Sequence, residues 1–282
     1  MRIACVQMEP IIGAKSDNVA RSVALLAKAA DRGAELVVLP ELANTGYVFE
    51  SRAEAASLAE PVPSGETTRI WCEVAADKHI HIVAGITEQV GDTLFNSAVL
   101  IAPGGYVGVY RKMHLWGDEK KVFAAGDLGF PVYETALGRI GIGICYDGWF
   151  PEMYRLQALA GAEIICVPTN WVPMPGQPDD RPAMANTLTM AAAHSNGLII
   201  ACADRVGVER GQPFEGQSLI VDRTGWPLAG PASRTAEEII IADVVVGARR
   251  GLSASNDVLA DRRTDVYAER LGFREGQPPS TE

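Results

Sequence analysis

Short apolar runs alternate with amphipathic stretches along this chain, and this alternation restricts the possible folds more than any other feature of the sequence. The run Leu36–Leu39 is compact and apolar, which predicts a buried strand. Upstream, Val19–Ala30 carries apolar residues at helical spacing and follows Ser16–Asn18, whose side chains are suited to N-capping. Strands interleaved with helices are typical of an α/β fold.

Two strand pairs in the middle of the chain have the pattern of hairpins, with turns at Gly104-Gly105 and Leu137-Gly138. Hairpins mixed with strand–helix units favour a mixed sheet, or two packed sheets, over a purely parallel one. We interpret residues 1–270 as one domain and residues 271–282 as a tail that is mobile or docked on a partner subunit. The other predicted strands are Arg2–Gln7, His79–Thr87, Phe95–Ile101, Tyr106–Arg111, Ile140–Cys145, Ile164–Val167, Leu198–Cys202, Gln217–Val221 and Ile239–Val246. The other predicted helices are Glu66–Lys78, Pro151–Ala160 and Arg181–Ser195.

Composition and charge exclude several classes of function. The 282 residues are 48% hydrophobic and carry a formal net charge of −10, which argues for a packed core and against binding to nucleic-acid phosphates or an anionic membrane surface. Apolar runs such as Leu198–Ala203 are too short to span a bilayer. No basic region with a long apolar stretch follows Met1, so we predict a soluble cytoplasmic protein.

The number and positions of the cysteines also favour a cytoplasmic protein. Five is an odd number, and four of them lie in or at the ends of apolar runs. This pattern predicts free thiols in a reducing environment rather than a disulfide framework. The four are Cys5, Cys145, Cys166 and Cys202.

Three chemically distinct side chains, Glu41, Lys112 and Cys145, each come directly after an apolar run. In open α/β sheets, ligand sites gather beyond the ends of strands. Three strand ends can therefore place an acid, a cation and a thiol in one crevice.

Cys145 has the strongest local support of the three. Gly141 and Gly143 allow the neighbouring backbone to approach closely, and Gly148 permits a sharp turn. Pro151 suits the first turn of a helix, so the thiol is predicted near a helix N-terminus, where the dipole favours the thiolate. A buried structural cysteine is the alternative interpretation.

Lys112 and Glu41 have chemistry that complements a thiol. The Lys112 ammonium would hold the thiolate as an ion pair and later face the oxyanion of a tetrahedral intermediate. In a mostly apolar crevice the pKa of Glu41 would rise, which would let this carboxyl shuttle protons. Taken singly, each residue also fits an ordinary solvated side chain.

The residues around these three positions form motifs. The motifs are Leu39-Pro40-Glu41-Leu42 with Thr45-Gly46-Tyr47 behind it, Tyr110-Arg111-Lys112-Met113-His114-Leu115, and Gly143-Ile144-Cys145-Tyr146-Asp147 leading into Trp149-Phe150-Pro151-Glu152. In order and spacing they resemble the nitrilase superfamily of carbon–nitrogen hydrolases, in its amidase-like branch. The similarity covers essentially the whole chain and includes Phe95-Asn96-Ser97 and Val167–Asn170.

This resemblance implies an α/β fold, a four-layer α-β-β-α sandwich of two mixed β-sheets flanked by helices. It implies an enzyme without a cofactor or metal, and a homodimer or higher homo-oligomer formed through the helices next to the nucleophile. It further implies that Glu41 is the general base, that Cys145 forms a thioester, and that Lys112 and the Tyr146 backbone N–H support the oxyanion. A second glutamate after the lysine is common in amidase members, and Glu119 fits that place best.

The residues after the nucleophile indicate the substrate class. Nitrilases of the superfamily tend to carry tryptophan and glutamate there, whereas Tyr146-Asp147 resembles the amidase and carbamoyl-hydrolase branches. We therefore predict hydrolysis of a small aliphatic or omega-amide to carboxylic acid and ammonia, with a nitrile less favoured. Trp149–Glu152 is similar to N-carbamoylputrescine amidases, which makes a carbamoyl amine the alternative substrate. Asp179, Asp180 and Arg181 offer a partner for either substrate charge.

Several aromatic residues and one amide flank the catalytic segments, and we predict that they line the substrate pocket. Core packing is the alternative for each of them. They are Tyr146, Tyr47, Trp116, Trp149, Asn170 and Trp171.

Three other classes of protein are alternative interpretations of this sequence. A Cys–His hydrolase would pair Cys145 with His114 or His194. A metal-binding protein would use His79 and His81, which would point to one face of a strand. A regulatory module would keep the fold without the chemistry, although all three catalytic positions are filled. No glycine-rich phosphate loop occurs in the sequence, so nucleotide use is not expected.

Overall fold

The computed structural model describes residues 1–178, 180–247 and 255–270, so Asp179 and the predicted tail 271–282 lie outside the described residues. Strands and helices alternate along these ranges, as the apolar runs predict. The helices are α1 (Lys15–Asp31), α2 (Arg52–Leu58), α3 (Glu66–Lys78), α4 (Glu119–Val122), α5 (Pro151–Leu159), α6 (Met184–Asn196) and α7 (Thr264–Arg270). The strands are β1 (Arg2–Gln7), β2 (Leu36–Val38), β3 (His81–Val90), β4 (Thr93–Ala102), β5 (Gly105–Arg111), β6 (Val132–Thr135), β7 (Gly138–Ile142), β8 (Ile164–Pro168), β9 (Ile199–Ala203), β10 (Val208–Glu209), β11 (Gln212–Pro213), β12 (Leu219–Val221), β13 (Pro227–Ala229) and β14 (Glu238–Asp243).

Most of these strands form two six-stranded sheets. The first sheet has the order β14-β1-β2-β3-β4-β5, the second has the order β13-β12-β9-β8-β7-β6, and β10 pairs separately with β11. Each large sheet has a parallel centre, β1-β2-β3 in one and β7-β8-β9 in the other. Antiparallel strands flank both centres. The prediction of two mixed sheets is confirmed.

The two faces of β1 explain how the layers stack. Successive side chains of a strand point to opposite faces of the sheet. Ile3 and Cys5 pack in the apolar cluster that joins the two sheets, whereas Ala4 and Val6 pack in a second cluster with Trp71 of α3. Helices α5 and α6 contribute to the first cluster from the far side of the second sheet. The predicted order of helix, sheet, sheet and helix is therefore confirmed.

The start of α1 differs from the prediction. The helix begins at Lys15, ahead of the cap predicted at Ser16–Asn18. Asn18 is buried, and its side chain accepts a hydrogen bond from the Ile11 N–H (2.8 Å) and donates one to the Ile11 carbonyl (2.7 Å). The predicted cap is wrong because this amide fixes the incoming loop instead of the helix end.

The two predicted metal ligands do not share a strand. His79 ends α3 in a left-handed conformation (φ 54°), and β3 begins only at His81. The prediction that both rings lie on one strand face is therefore wrong. Within the described ranges, no group of three or more His, Cys, Asp or Glu side chains could hold a metal ion. None of the described helices has the length and apolar character needed to cross a membrane.

Two elements near the predicted site are shorter than expected. β7 ends at Ile142, so the chain has left the sheet before it reaches Cys145. α6 begins at Met184 and not at Arg181. Both differences leave irregular backbone beside the site, where side chains can be aimed independently of the sheet.

Candidate active site

The candidate catalytic side chains come from loops at the ends of strands in both sheets. Glu41 follows β2 and Lys112 follows β5, both in the first sheet, whereas Cys145 follows β7 in the second. Cys145 opens a 3-10 turn that runs to Trp149. The site thus lies where loops from the two sheets meet.

A buried cluster of charge joins Glu41, Lys112 and Glu119. The Lys112 ammonium donates to Glu41 Oε1 (2.6 Å) and to Glu119 Oε1 (2.7 Å). Tyr47 donates its hydroxyl to Glu119 Oε1 (2.6 Å), and the Asn96 amide donates to Glu41 Oε1 (2.6 Å). The lysine is therefore held between two carboxylates, each of which has a further donor of its own.

Burial and charge oppose each other in this cluster. Burial raises the pKa of Glu41 to about 7, although Lys112 acts to lower it. Burial alone would lower the pKa of Lys112, but Glu119 and Glu41 raise it well above its ordinary value. Lys112 thus stays cationic, while Glu41 can gain and lose a proton near neutral pH. A residue with these properties is suited to proton transfer.

Cys145 has a backbone conformation that non-glycine residues rarely adopt, with φ of 44°. Burial, followed by the charge of Glu41, raises the pKa of its thiol well above the usual range. Lys112, the Thr169 hydroxyl and the Asn170 backbone act in the opposite direction but do not reverse the shift. The predicted helix N-terminus is present as the 3-10 turn that Cys145 opens and that leads into α5 at Pro151, but burial shifts the pKa toward the neutral thiol. The thiol needs a base to become a nucleophile.

The two carboxylate oxygens of Glu41 differ in their surroundings. Oε1 accepts hydrogen bonds from Lys112 and Asn96. Oε2 is buried and has no hydrogen-bond partner among the described residues. Oε2 thus keeps its full capacity to accept a hydrogen bond or a proton.

Gly85 of β3 allows the Glu41 loop to lie directly on the sheet. The Gly85 N–H donates to the Pro40 carbonyl (3.1 Å), and the Ala43 N–H donates to the Gly85 carbonyl (3.0 Å). A Cβ at Gly85 would lie 2.4 Å from the Leu42 nitrogen and 2.5 Å from the Glu41 Cα. These neighbours are backbone atoms, so they cannot rotate away.

Gly85→Ala should therefore displace the Glu41 loop. We expect the free energy of unfolding in urea to fall by about 1–3 kcal/mol, as for other overpacked sites, and the specific activity of the folded protein to fall with it. Gly104→Ala is the matched control, because a Cβ there meets nothing within 4 Å. Wild-type stability and activity in Gly85→Ala would show that the close approach has no role.

A small cavity of about 250 Å³ lies against Cys145. Apart from the thiol, its lining is aromatic, aliphatic or amide. Five of the six predicted pocket residues lie there, whereas Tyr47 lines a neighbouring cavity with Glu119 and Trp116. Arg181 is exposed and lines a separate surface cavity. The lining of the cavity at Cys145 consists of Trp116, Tyr146, Trp149, Asn170, Trp171, Val172 and Met174.

Three polar residues near the site were not predicted as functional. Asn96 lies within β4 and binds Glu41, Thr169 follows β8 and acts to lower the pKa of the Cys145 thiol, and Asp204 follows β9. Asp204 is buried and accepts the Trp171 N–H (2.9 Å). Thr169 and Asp204 follow buried strands directly, which is the same signal that identified the first three residues.

The two candidate histidines have other partners. His114 Nδ1 lies 2.8 Å from Asp147 Oδ1, and His194 Nδ1 lies 2.8 Å from the Thr224 carbonyl oxygen. The side chains with the largest influence on the pKa of Cys145 are Glu41, Lys112 and Thr169, and neither histidine is among them. The Cys–His alternative is therefore not supported.

Comparisons with known proteins agree with this geometry. A family model described as carbon-nitrogen hydrolase matches residues 2–252. The chain is 42% identical over 269 residues to a protein named nitrilase from Pyrococcus abyssi. The matched region covers 95% of this chain and 99% of that relative. It is 30% identical to the omega-amidase of Homo sapiens, with 96% of this chain and 98% of the relative covered.

Solved structures show the same similarity. An amidase from Nesterenkonia sp. matches with a TM-score of 0.79 and 27% identity, covering 96% of each chain. A mutant of that amidase shows covalent addition of the acetamide moiety of fluoroacetamide at its active-site cysteine. Fold, site and relatives together define a hydrolase of carbon–nitrogen bonds. The chain belongs to the carbon-nitrogen hydrolase family, within the nitrilase superfamily.

Proposed function

We propose that this protein hydrolyses a small, uncharged amide to a carboxylic acid and ammonia through a thioester on Cys145. The observation that carries the proposal is a buried thiol beside Glu41 and Lys112, facing a cavity without charged lining residues. Glu41 is the base, Lys112 stabilises the oxyanion, and Glu119 holds Lys112 in place.

The first half of the reaction forms the thioester. Glu41 Oε2 takes the proton of the Cys145 thiol as the sulfur attacks the amide carbon. An ammonium has three N–H donors, and two of those of Lys112 bind Glu41 and Glu119. The third is available to the oxyanion, together with the Tyr146 backbone N–H. Glu41 then gives its proton to the leaving nitrogen, and ammonia departs.

The second half returns the enzyme to its starting state. Glu41, now ionised, takes a proton from a water molecule that attacks the thioester carbon. The same donors stabilise the second oxyanion. The carbon–sulfur bond then breaks, the acid leaves, and the proton held by Glu41 returns to Cys145.

The lining of the cavity supports an uncharged acyl group. Trp149, Trp171, Val172 and Met174 offer no partner for a carboxylate or an ammonium, and burying an unpaired charge is costly. A short aliphatic amide avoids that cost, which favours it over an omega-amide that carries a carboxylate.

A second candidate is hydrolysis of a carbamoyl amine. The neighbouring cavity includes Asp118 and Glu119 as well as Tyr47 and Gln212. Acidic side chains suit a distal ammonium group. A carbamoyl amine is therefore favoured if its amine end extends from Cys145 into this neighbouring cavity.

An ammonia-release assay tests the proposal directly. The substrates would be propionamide, glutaramate, N-carbamoylputrescine and propionitrile. We expect kcat/KM for propionamide to exceed the others by at least about 10-fold, the ratio that a difference of roughly 1.4 kcal/mol produces. A preference for N-carbamoylputrescine would favour the second candidate, and a preference for the nitrile or the absence of any turnover would contradict an amidase.

The pH dependence of the reaction should report Glu41. A base acts only when it is ionised, and the pKa of Glu41 is raised to about 7. We therefore expect kcat/KM to fall as the pH falls below 7, approaching tenfold per pH unit. Initial rates between about pH 5 and 9 measure this decrease in kcat/KM. The residual activity of Glu41→Gln should not show the decrease, because glutamine does not titrate. A flat profile below pH 7 would contradict the assignment of the base.

The homodimer and the cytoplasmic location stay predictions. Leu156 and Leu159 of α5 are exposed, which supports an oligomeric contact through the helices next to the nucleophile.

A further inference from the structure

Asp147 lies two residues after Cys145 and has no part in the proton transfers, yet its carboxylate is surrounded by hydrogen-bond donors. It is completely buried. Oδ1 accepts the His114 backbone N–H (3.0 Å) and contacts His114 Nδ1 (2.8 Å). Oδ2 accepts the Tyr110 hydroxyl (2.7 Å) and the Ile144 N–H (2.9 Å). The Met113 N–H donates to the Tyr110 oxygen (3.3 Å), which directs the tyrosine proton toward Asp147.

These donors come from both halves of the candidate site. Tyr110 and His114 bracket Lys112 in the segment that ends β5 of the first sheet. Ile144 comes directly before Cys145, after β7 of the second sheet. One side chain therefore connects the backbone that carries the lysine to the backbone that carries the thiol.

The turn at Cys145 needs such a connection. A left-handed conformation at a non-glycine residue costs energy and persists only where surrounding contacts enforce it. The Asp147 carboxylate binds the Ile144 N–H at the entry to this turn, and the Asp147 N–H donates to the Ile144 carbonyl (3.0 Å). The His114 ring also stacks on Phe150 beyond the turn, at 3.7 Å between ring centroids.

We propose that Asp147, with His114 and Tyr110 as its donors, is the positioning residue that sets Cys145 relative to Lys112. This inference rests on the proposed role of Cys145 as nucleophile. It assigns no chemical step to Asp147, which does not line the cavity at Cys145. Its role is to hold a strained turn in register with a segment of the other sheet.

Asparagine cannot replace aspartate in this role. Each carboxylate oxygen accepts one backbone N–H, from His114 at Oδ1 and from Ile144 at Oδ2. In either orientation, the asparagine NH2 would face a backbone N–H that can only donate. Asp147→Asn is almost the same size, so it removes the connection without creating a cavity.

The test measures Cys145 itself as well as turnover. Asp147→Asn would be treated with iodoacetamide, and alkylation of the Cys145 peptide would be followed by mass spectrometry, because Cys72 is also partly exposed. We expect the alkylation rate and kcat of the folded protein to fall by about 10²-fold, since small misplacements of reacting groups have effects of that size. KM should change much less.

Two comparisons separate positioning from a general loss of stability. Glu60→Gln alters another buried carboxylate, which accepts the Thr67 N–H and hydroxyl at the start of α3, and it should leave Cys145 alkylation unchanged. His114→Asn keeps a side-chain donor, whereas His114→Leu removes it, so only the leucine variant should approach the loss in Asp147→Asn.

Wild-type alkylation and kcat in folded Asp147→Asn would overturn the inference, as would equal losses in the two His114 variants. If Asp147→Asn does not fold, the His114 pair decides alone. A third outcome separates the two proposals. If Cys145 is alkylated slowly in Asp147→Asn and the wild type turns over no amide, the proposed amidase function is contradicted. The positioning of Cys145 by Asp147 is then still supported.

Discussion

Cys145→Ala is expected to lower kcat by about 10⁴-fold or more, because no other group in the site can form the thioester. Folding should survive, since the substitution removes a single buried sulfur and leaves only a small space. The assay is ammonia release from the preferred amide, with the unfolding midpoint in urea measured in parallel.

Cys166→Ala is the matched control for this variant. Cys166 is a buried thiol of β8 in the same apolar cluster, so it experiences the same loss of packing without touching the site chemistry. We expect its kcat to stay near that of the wild type. Substantial turnover in Cys145→Ala, or an equal loss in Cys166→Ala, would contradict a cysteine nucleophile at position 145.

Lys112→Met should damage both stability and activity. Removing one partner from a buried ionic cluster costs about 3–5 kcal/mol, and here Glu41 and Glu119 would lose the cation between them. Lys112 acts to lower the pKa of Glu41, so without it this carboxyl stays protonated at neutral pH and cannot act as a base. We expect kcat to fall by about 10³-fold, which includes the lost oxyanion donor.

The loss of stability in Lys112→Met should depend on pH. Protonation removes the charge of the unpaired Glu41 carboxyl, whose pKa is already raised by burial, so the destabilisation should be smaller near pH 5 than near pH 8. Urea unfolding at both values measures the difference. Lys121→Met is the control, because Lys121 is exposed and pairs with the exposed Asp118. A destabilisation that does not change with pH would argue against the unpaired Glu41 carboxylate as its cause.

Much of the fold follows from local sequence. Leu36–Val38 and Ile164–Pro168 form buried strands because compact apolar runs fit the centre of a parallel sheet. The same runs locate the site, since Glu41 and Lys112 are polar residues placed where strands end. Glu41 and Lys112 lie at strand ends of the same sheet, whereas the position of Cys145 beside them depends on how the second sheet packs on the first. The family resemblance implied that packing, and no local pattern specifies it.

Other features depend on partners that are distant in sequence. Asn96 binds Glu41 across 55 positions of the chain, and no local pattern indicates that pairing. A helical turn does begin at Cys145, as the local sequence predicts, but burial of the thiol among residues that are distant in sequence raises its pKa. Asn18 is a further example. The local sequence predicts that its side chain caps α1, but the side chain instead accepts a hydrogen bond from the Ile11 N–H in the loop before the helix.

The most direct test of the central claim is the mass of the enzyme during turnover. Wild-type protein mixed with saturating propionamide would be quenched in acid, digested and analysed by mass spectrometry. The mechanism predicts a fraction of the Cys145 peptide that is heavier by one propionyl group, and no such fraction in Cys145→Ala. Continued ammonia release with an unmodified Cys145 peptide, or a propionyl group on another residue, would contradict it.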